Sequence, residues 1–144
     1  MVEETKKYDF DIFVIGGGSG GISCARFAAK YGAKVALADF VKPSPIGTKW
    51  GLGGTCVNVG CIPKKLMHYS ATLAEARDDQ NRQGWNIDMK EEFDWEKLVN
   101  GVQTHIKQLN KGYANDMIDA RIRYVNMYAT FVDEHTVLCD NGKR

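Results

Sequence analysis

Cys56 and Cys61 are the residues of this sequence best suited to chemistry. They are two thiols five positions apart in Cys56-Val57-Asn58-Val59-Gly60-Cys61, with Lys64 and Lys65 just beyond. Neighbouring thiols carry electrons by making and breaking a disulfide. A regular helix would separate the two Cα atoms by about 7.5 Å along its axis, beyond the roughly 4.4–6.8 Å a disulfide spans, so residues 57–60 must form an irregular turn if the two bond. Gly60 suits such a distortion and leaves Cys61 near a helix N-terminus. There the helix dipole and an ammonium from Lys64 or Lys65 favour the thiolate, the reactive form. A structural disulfide or half of a zinc site is the competing reading. Zinc sites use two such pairs at shorter spacing, and neither Cys24 nor Cys139 lies near a second pair.

About forty residues before the thiols, Gly16-Gly17-Gly18-Ser19-Gly20-Gly21 fits G-x-G-x-x-G at Gly16, Gly18 and Gly21. Gly16 would make the tight turn, Gly18 would let the backbone approach a pyrophosphate, and Gly21 would let a helix pack on a strand. The helix start would offer its free N–H groups to the phosphates. Glycine-rich turns are common, so context carries this reading: a strand precedes the motif, a helix follows, and Asp39 ends the next strand, where a carboxylate can accept hydrogen bonds from a ribose diol. A thiol pair following a dinucleotide cradle implies electron transfer between the two.

The elements that must position these groups follow from periodicity. Residues 10–15 form an apolar, β-branched run broken only by Asp11, and residues 34–38 form a second; between them residues 19–31 place Ile22, Ala25 and Ala29 at helical spacing, with Gly32 as the C-terminal cap. Strand, helix, strand predicts a crossover unit with parallel strands. Residues 39–54, rich in proline and glycine, read as loop. Helices are predicted from about 60 to 82, ended by Gly84, and from the Asp94 cap to about 121, with Leu98, Val102, Ile106, Leu109, Tyr113 and Met117 on one stripe. Gly101 and Gly112 weaken that second helix. Residues 122–125, 129–132 and 136–139 read as strands, and Asp140-Asn141-Gly142 is a hairpin signal whose second strand the sequence does not contain. The fold class is α/β, a Rossmann-like parallel sheet with a β-meander, incomplete here. The chain therefore reads as the N-terminal part of a longer protein, with residues 1–8 a polar tail and 9–144 the start of a cofactor-binding domain.

Composition agrees. A length of 144 residues with 44 % hydrophobic content suffices for one packed domain. A formal net charge of +1 and no long basic run argue against nucleic acid or an acidic membrane surface as the main partner. The start of the chain has no apolar signal region, and no apolar stretch reaches the roughly 18 residues of a membrane span, so a cytoplasmic location is expected.

The stretch Trp50-Gly51-Leu52-Gly53-Gly54-Thr55-Cys56-Val57-Asn58-Val59-Gly60-Cys61-Ile62-Pro63-Lys64-Lys65-Leu66-Met67-His68 closely resembles the redox-active signature of the large, animal-type thioredoxin reductases, within the glutathione reductase family of FAD-dependent disulfide oxidoreductases. The loop from Asp39 and Phe40 through Lys42-Pro43-Ser44-Pro45-Ile46-Gly47-Thr48-Lys49 resembles theirs as well, where glutathione reductases have a shorter link.

By that resemblance the glycine turn with Ser19 and Gly20 holds the FAD pyrophosphate, and Asp39 with Phe40 holds the adenosine ribose. Gly54, Thr55, Cys56 and the stretch from Gly60 through Cys61 to Lys64 face the isoalloxazine and ribityl side, and the backbone of Tyr128 and Ala129 meets the adenine. The resemblance further implies that NADPH reduces the flavin from a site outside this chain and that the flavin reduces the disulfide. Cys61 is then the flavin-side thiol, and Cys56 the interchange thiol that attacks the next acceptor, in a family whose C-terminal redox tail lies outside this chain. Lys64 would pair with a glutamate outside this chain, and Tyr113 would stand at the mouth of the disulfide site; on residues alone Tyr113 is equally a member of the apolar stripe. The full-length protein would be a homodimer. Glutathione reductase, a fused thioredoxin-glutathione reductase and a noncatalytic FAD-binding fragment are the alternatives. No metal is expected. His68 and His105 read as ordinary helix residues, Cys24 as a packed thiol and Cys139 as a strand residue.

Overall fold

The computed structural model describes residues 8–41, 49–86 and 92–140. The Asn141-Gly142 turn signal, the N-terminal tail up to Lys7 and the loop from Lys42 to Thr48 lie outside the described residues.

Strand β1 (Ile12–Ile15) leads through Gly16 into helix α1 (Ser19–Lys30), and the chain returns as strand β2 (Val35–Ala38). β1 and β2 pair in parallel, Ile12 opposite Val35 through Ile15 opposite Ala38. All four residues of β2 are buried, because a central parallel strand is covered on both faces and flanked on both edges. Asp11, the one charge in the first apolar run, stays outside the sheet: its carboxylate accepts the Lys34 N–H at 2.7 Å. Helix α1 ends as the sequence predicts. Gly32 takes a left-handed φ of 93°, Ala33 N–H donates to the Ala28 carbonyl and Gly32 N–H to the Ala29 carbonyl, which is a Schellman cap.

The predicted helix from about residue 60 is in fact the second of a pair. Helix α2 (Gly54–Val59) begins at the last residue of the segment read as loop and covers residues for which no helix is predicted, and helix α3 (Cys61–Arg82) follows after the single break at Gly60. Pro63 is tolerated in the first turn of α3, where a backbone N–H would have no intrahelical partner. Helix α4 (Trp95–Asp119) is capped by Asp94, whose side chain accepts the Lys97 N–H at 2.8 Å. Val102, Ile106 and Met117 of the apolar stripe are buried, while Gly101 and Gly112 sit on the exposed side with nothing near their missing side chains, so the helix passes through both.

Strand β3 (Arg123–Val125) joins the sheet parallel to β2, giving the order β1-β2-β3. Strands β4 (Tyr128–Phe131) and β5 (Val137–Asp140) form a separate antiparallel pair, so the meander expected over the last strands takes the form of a two-stranded ribbon. The core lies between α1, β2 and α4, where Ile22, Ala25, Val35, Leu37, Leu52, Met117 and Ile122 form one buried cluster.

Glycine decides how closely α1 can approach the sheet. A Cβ on Gly21 would fall 1.9 Å from the Gly16 carbonyl oxygen, whereas one on Gly20 would meet nothing within 4 Å. Gly21→Ala is therefore expected to lose about 2–4 kcal/mol. Gly20→Ala should leave stability unchanged or raise it by up to ~1 kcal/mol. Denaturant unfolding of the two variants checks this; equal stability for both would contradict it.

Candidate functional site

The cradle begins where β1 stops. Gly16 N–H donates to the Ala38 carbonyl at 2.7 Å, and its φ of 106° turns the chain away from the sheet toward α1. Gly17 is buried against the end of β2: a Cβ there would lie 2.6 Å from both an Asp39 carboxylate oxygen and a Leu52 methyl. Gly18 caps α1 in extended backbone with no side-chain cap, which leaves the first N–H groups of the helix directed outward. Open space above Gly20, and only Gly54 Cα at 3.9 Å above Gly18, give a ligand access to this backbone.

Asp39 follows β2 and is half-buried. Its carboxylate accepts N–H groups of Gly17 and Phe40, the latter at 3.1 Å. Burial nevertheless dominates and raises its pKa above the ordinary carboxylate value. The Tyr124 hydroxyl is buried with no hydrogen-bond partner among the described residues, and burial together with the Asp39 charge pushes its pKa up to about 12. Phe40 and Tyr128 meet edge to face with ring centroids 6.1 Å apart, and the Val41 N–H donates to Asn126 Oδ1 at 3.0 Å. The end of β2 is thereby tied to the segment before β4, which sets Tyr128 beside Phe40, with Ala129 next in β4.

The thiol turn is attached directly to the cradle. Gly53 N–H donates to the Gly17 carbonyl at 3.0 Å, Gly53 and Gly18 form a β-bridge, and a Cβ on Gly54 would stand 2.8 Å from Gly18 Cα. Gly53 and Gly54 have φ of 118° and 72°, conformations that glycine adopts without a steric penalty. Helix α2 starts at this contact and carries Thr55 and Cys56. Cys56 and Cys61 are joined in a disulfide with Cα atoms 4.6 Å apart. The expectation of an irregular turn over residues 57–60 is corrected in its extent, because Val57, Asn58 and Val59 remain helical and the whole departure falls on Gly60. The chain doubles back so tightly there that a Cβ would lie 3.0 Å from the Thr55 carbonyl oxygen and 3.1 Å from Cys56 Cα.

Cys61 is the first residue of α3 and exposed; Cys56 is half-buried, so exposure alone ranks the two opposite to an inner Cys61 and an outward Cys56. Lys64 is exposed one turn into α3, with no ion-pair partner among the described residues. Tyr113 packs against the core cluster, as a member of the apolar stripe, and its Cε2 lies 3.1 Å from where a Gly53 Cβ would be. Cys24 is corrected from a packed to an exposed thiol, because α1 buries Ile22 and Ala25 and turns position 24 outward. Cys139 lies in β5, and His68 and His105 are exposed helix residues.

Sequence reasoning missed four residues that build this site: Gly17, Gly53, Asn58 and Asn110. Gly17 occupies an unspecified position of the glycine pattern. Nothing in the sequence marks Asn58 or Asn110, whose burial and pairing arise only from the fold.

A family model described as pyridine nucleotide-disulphide oxidoreductase matches residues 10–144. The chain is 57% identical over 128 residues to thioredoxin reductase SEP1 of Emiliania huxleyi, covering 89% of this chain and 26% of that protein. It is 54% identical over 132 residues to thioredoxin reductase 2, mitochondrial, of Drosophila melanogaster, covering 91% of this chain and 26% of that protein. The chain thus spans about a quarter of the length of the curated relatives it matches.

The raised pKa of Asp39 has a stability consequence. The folded state holds this proton more tightly than the unfolded chain, so ionised Asp39 costs stability. That cost is absent below the unfolded pKa of about 3.9, grows as pH rises through the folded value, and is constant above it. In the absence of bound ligand, Asp39→Asn is expected to melt higher than the parent at neutral pH, with the gain disappearing below about pH 4. A lower melting temperature for the variant at neutral pH would contradict the dominance of burial.

Proposed function

This chain belongs to the pyridine nucleotide-disulphide oxidoreductase family, and from that premise we propose that it is the FAD-binding and disulfide-bearing part of a thioredoxin-disulfide reductase that draws its electrons from NADPH. One observation carries the reading: the Cys56–Cys61 disulfide hangs on a turn whose glycines touch the glycine cradle. A cofactor held at the one is adjacent to the other.

The residues present fit FAD. The uncapped start of α1 and the space above Gly18 and Gly20 suit a pyrophosphate, with Gly16 and Gly21 shaping the turn and Ser19 at the first helical position. Asp39 would accept from the ribose hydroxyls, and Phe40 with the Tyr128–Ala129 backbone would flank the adenine. Gly54, Thr55, Cys56, Gly60, Cys61 and Lys64 would line the flavin end. When bound, FAD supplies a carrier that accepts a hydride from NADPH and delivers two electrons to a disulfide.

The chain's own residues then perform thiol-disulfide exchange. Two electrons and two protons convert the Cys56–Cys61 disulfide into two thiols. The Cys56 thiolate attacks one sulfur of the next acceptor's disulfide, forming a mixed disulfide and releasing the other sulfur as thiolate; Cys61 attacks the Cys56 sulfur, restoring the intramolecular bond and releasing the second. Each exchange breaks one S–S bond and makes one. Cys61 takes the resolving role from its place at the first residue of α3, where the helix dipole favours thiolate, with Lys64 on the following turn. Tyr113, beside Gly53, would border the acceptor's path. A homodimer and a cytoplasmic location belong to this reading; among the described residues no helix is long and apolar enough to cross a membrane.

Two outcomes test it in the full-length protein. Gly18→Val keeps an allowed backbone, since Gly18 has φ −80° and ψ −176°, but places a side chain on the phosphate approach. The variant should fold and lack flavin absorbance; a full complement of FAD would count against the cradle. Cys56→Ser should retain a long-wavelength thiolate-to-flavin absorption band and lose transfer to the disulfide acceptor, whereas Cys61→Ser should lose the band. The opposite pattern would reverse the two roles.

A further inference from the structure

Asn58 is buried to 5 % exposure on α2 between the two cysteines. Both hydrogens of its amide are used: Nδ2 donates to the Gly51 carbonyl at 2.9 Å and to the Gly54 carbonyl at 2.8 Å. Its Oδ1 accepts from Asn110 Nδ2 of α4 at 2.9 Å, and the same Asn110 nitrogen donates to the Leu52 carbonyl at 2.6 Å. Two side-chain amides thus hold three carbonyls of the turn that leads into the thiol helix, and α4 is the anchor. The fit is close on the backbone side as well, since a Cβ on Gly51 would fall 2.5 Å from Asn110 Oδ1.

Helix α2 has six residues, well short of the roughly 12–15 at which an isolated helix becomes marginally stable, so its position depends on tertiary contacts. While the disulfide is intact, a covalent bond ties Cys56 to α3. Once it is reduced that tie is gone. What remains is Val57 in the core, the Gly53-to-Gly17 hydrogen bond and the two amides. The probability that the two sulfurs re-encounter one another, which sets how readily the pair re-forms its bond, then depends on how firmly α2 is held.

We propose that Asn58 and Asn110 are positioning residues that keep Cys56 in register with Cys61 in the dithiol state, and so set the reduction potential of the pair. This rests on the redox reading of the disulfide given above. Neither amide touches the reacting sulfurs in the role assigned here; they act through the backbone of residues 51–54 and through α2. Removing them loosens the dithiol, lowers the effective concentration of one thiol at the other, and makes the disulfide easier to reduce.

The test is a redox titration of the full-length flavoprotein in dithiothreitol buffers. The reagent closes to its cyclic disulfide as the Cys56–Cys61 bond takes up two electrons and two protons. Alkylation and peptide mass then give the fraction oxidised. Asn110→Leu is the main variant, because it keeps the branching and approximate volume, adds no charge and cannot hydrogen-bond. Its equilibrium constant for reduction should rise about tenfold, a midpoint shift of ~30 mV toward easier reduction. Asn110→Ser, smaller but able to donate one bond, should lie between Asn110→Leu and the parent, and stands in with the same criterion if Asn110→Leu gives no soluble protein. A purely structural role would lower the melting temperature and leave the midpoint in place, so a variant with normal FAD content and the parent midpoint overturns the proposal. A parent protein with no reducible Cys56–Cys61 bond would instead overturn the redox reading on which it rests.

Discussion

The contact between two glycine pairs, Gly17–Gly18 after β1 and Gly53–Gly54 before α2, is the constraint from which the site follows. A hydrogen bond of 3.0 Å, a β-bridge and a backbone approach that leaves no room for a Cβ on Gly54 bring two loops together that are far apart in sequence. Each loop opens a helix. The start of α1 and the start of α2 therefore lie side by side, one with exposed N–H groups suited to phosphate, the other carrying Cys56. Leu52, buried next to Gly17, and Tyr113, packed on Gly53, close this junction from the core side. A side chain on Gly54 would fall 2.8 Å from Gly18 Cα, so it would push the start of α2 off the cradle and disturb the phosphate-facing backbone and the thiol turn at once.

Burial at this junction has an electrostatic cost that the fold accepts. Asp39 is drawn in against Gly17 and keeps a raised pKa although two N–H groups point at it, and the buried Tyr124 hydroxyl beside it has no hydrogen-bond partner among the described residues. A buried polar group without a partner is uncommon in folded proteins, and the Tyr124 hydroxyl is the one such side-chain atom among the described residues.

Much of this was legible in the sequence, and the limits have physical causes. Strand periodicity, the glycine turn, the Asp94 cap and the Gly32 and Gly84 terminators are local signals, read correctly because each depends on neighbours a few residues away. The cysteine spacing implies a break from helical geometry and Gly60 provides it, but a helix over residues 54–59 is not legible in the sequence, because six residues carry too little periodicity to register. The Asn58–Asn110 pair spans 52 positions and the Gly17–Gly53 bond joins separate loops, so neither leaves a pattern within any one segment. Cys24 was assigned inward from residue type alone, whereas the stripe of α1 that faces the sheet is Ile22 and Ala25.

The most direct test of the central contact is Gly54→Ala in the full-length protein, with bound FAD and the oxidised fraction of the Cys56–Cys61 pair measured in one sample. The added methyl would fall 2.8 Å from Gly18 Cα at a residue with φ of 72°. If one contact aligns both the cradle and the thiols, flavin content and disulfide formation should fall together, while the chain remains folded. A variant that keeps stoichiometric FAD and a fully formed disulfide would contradict the account.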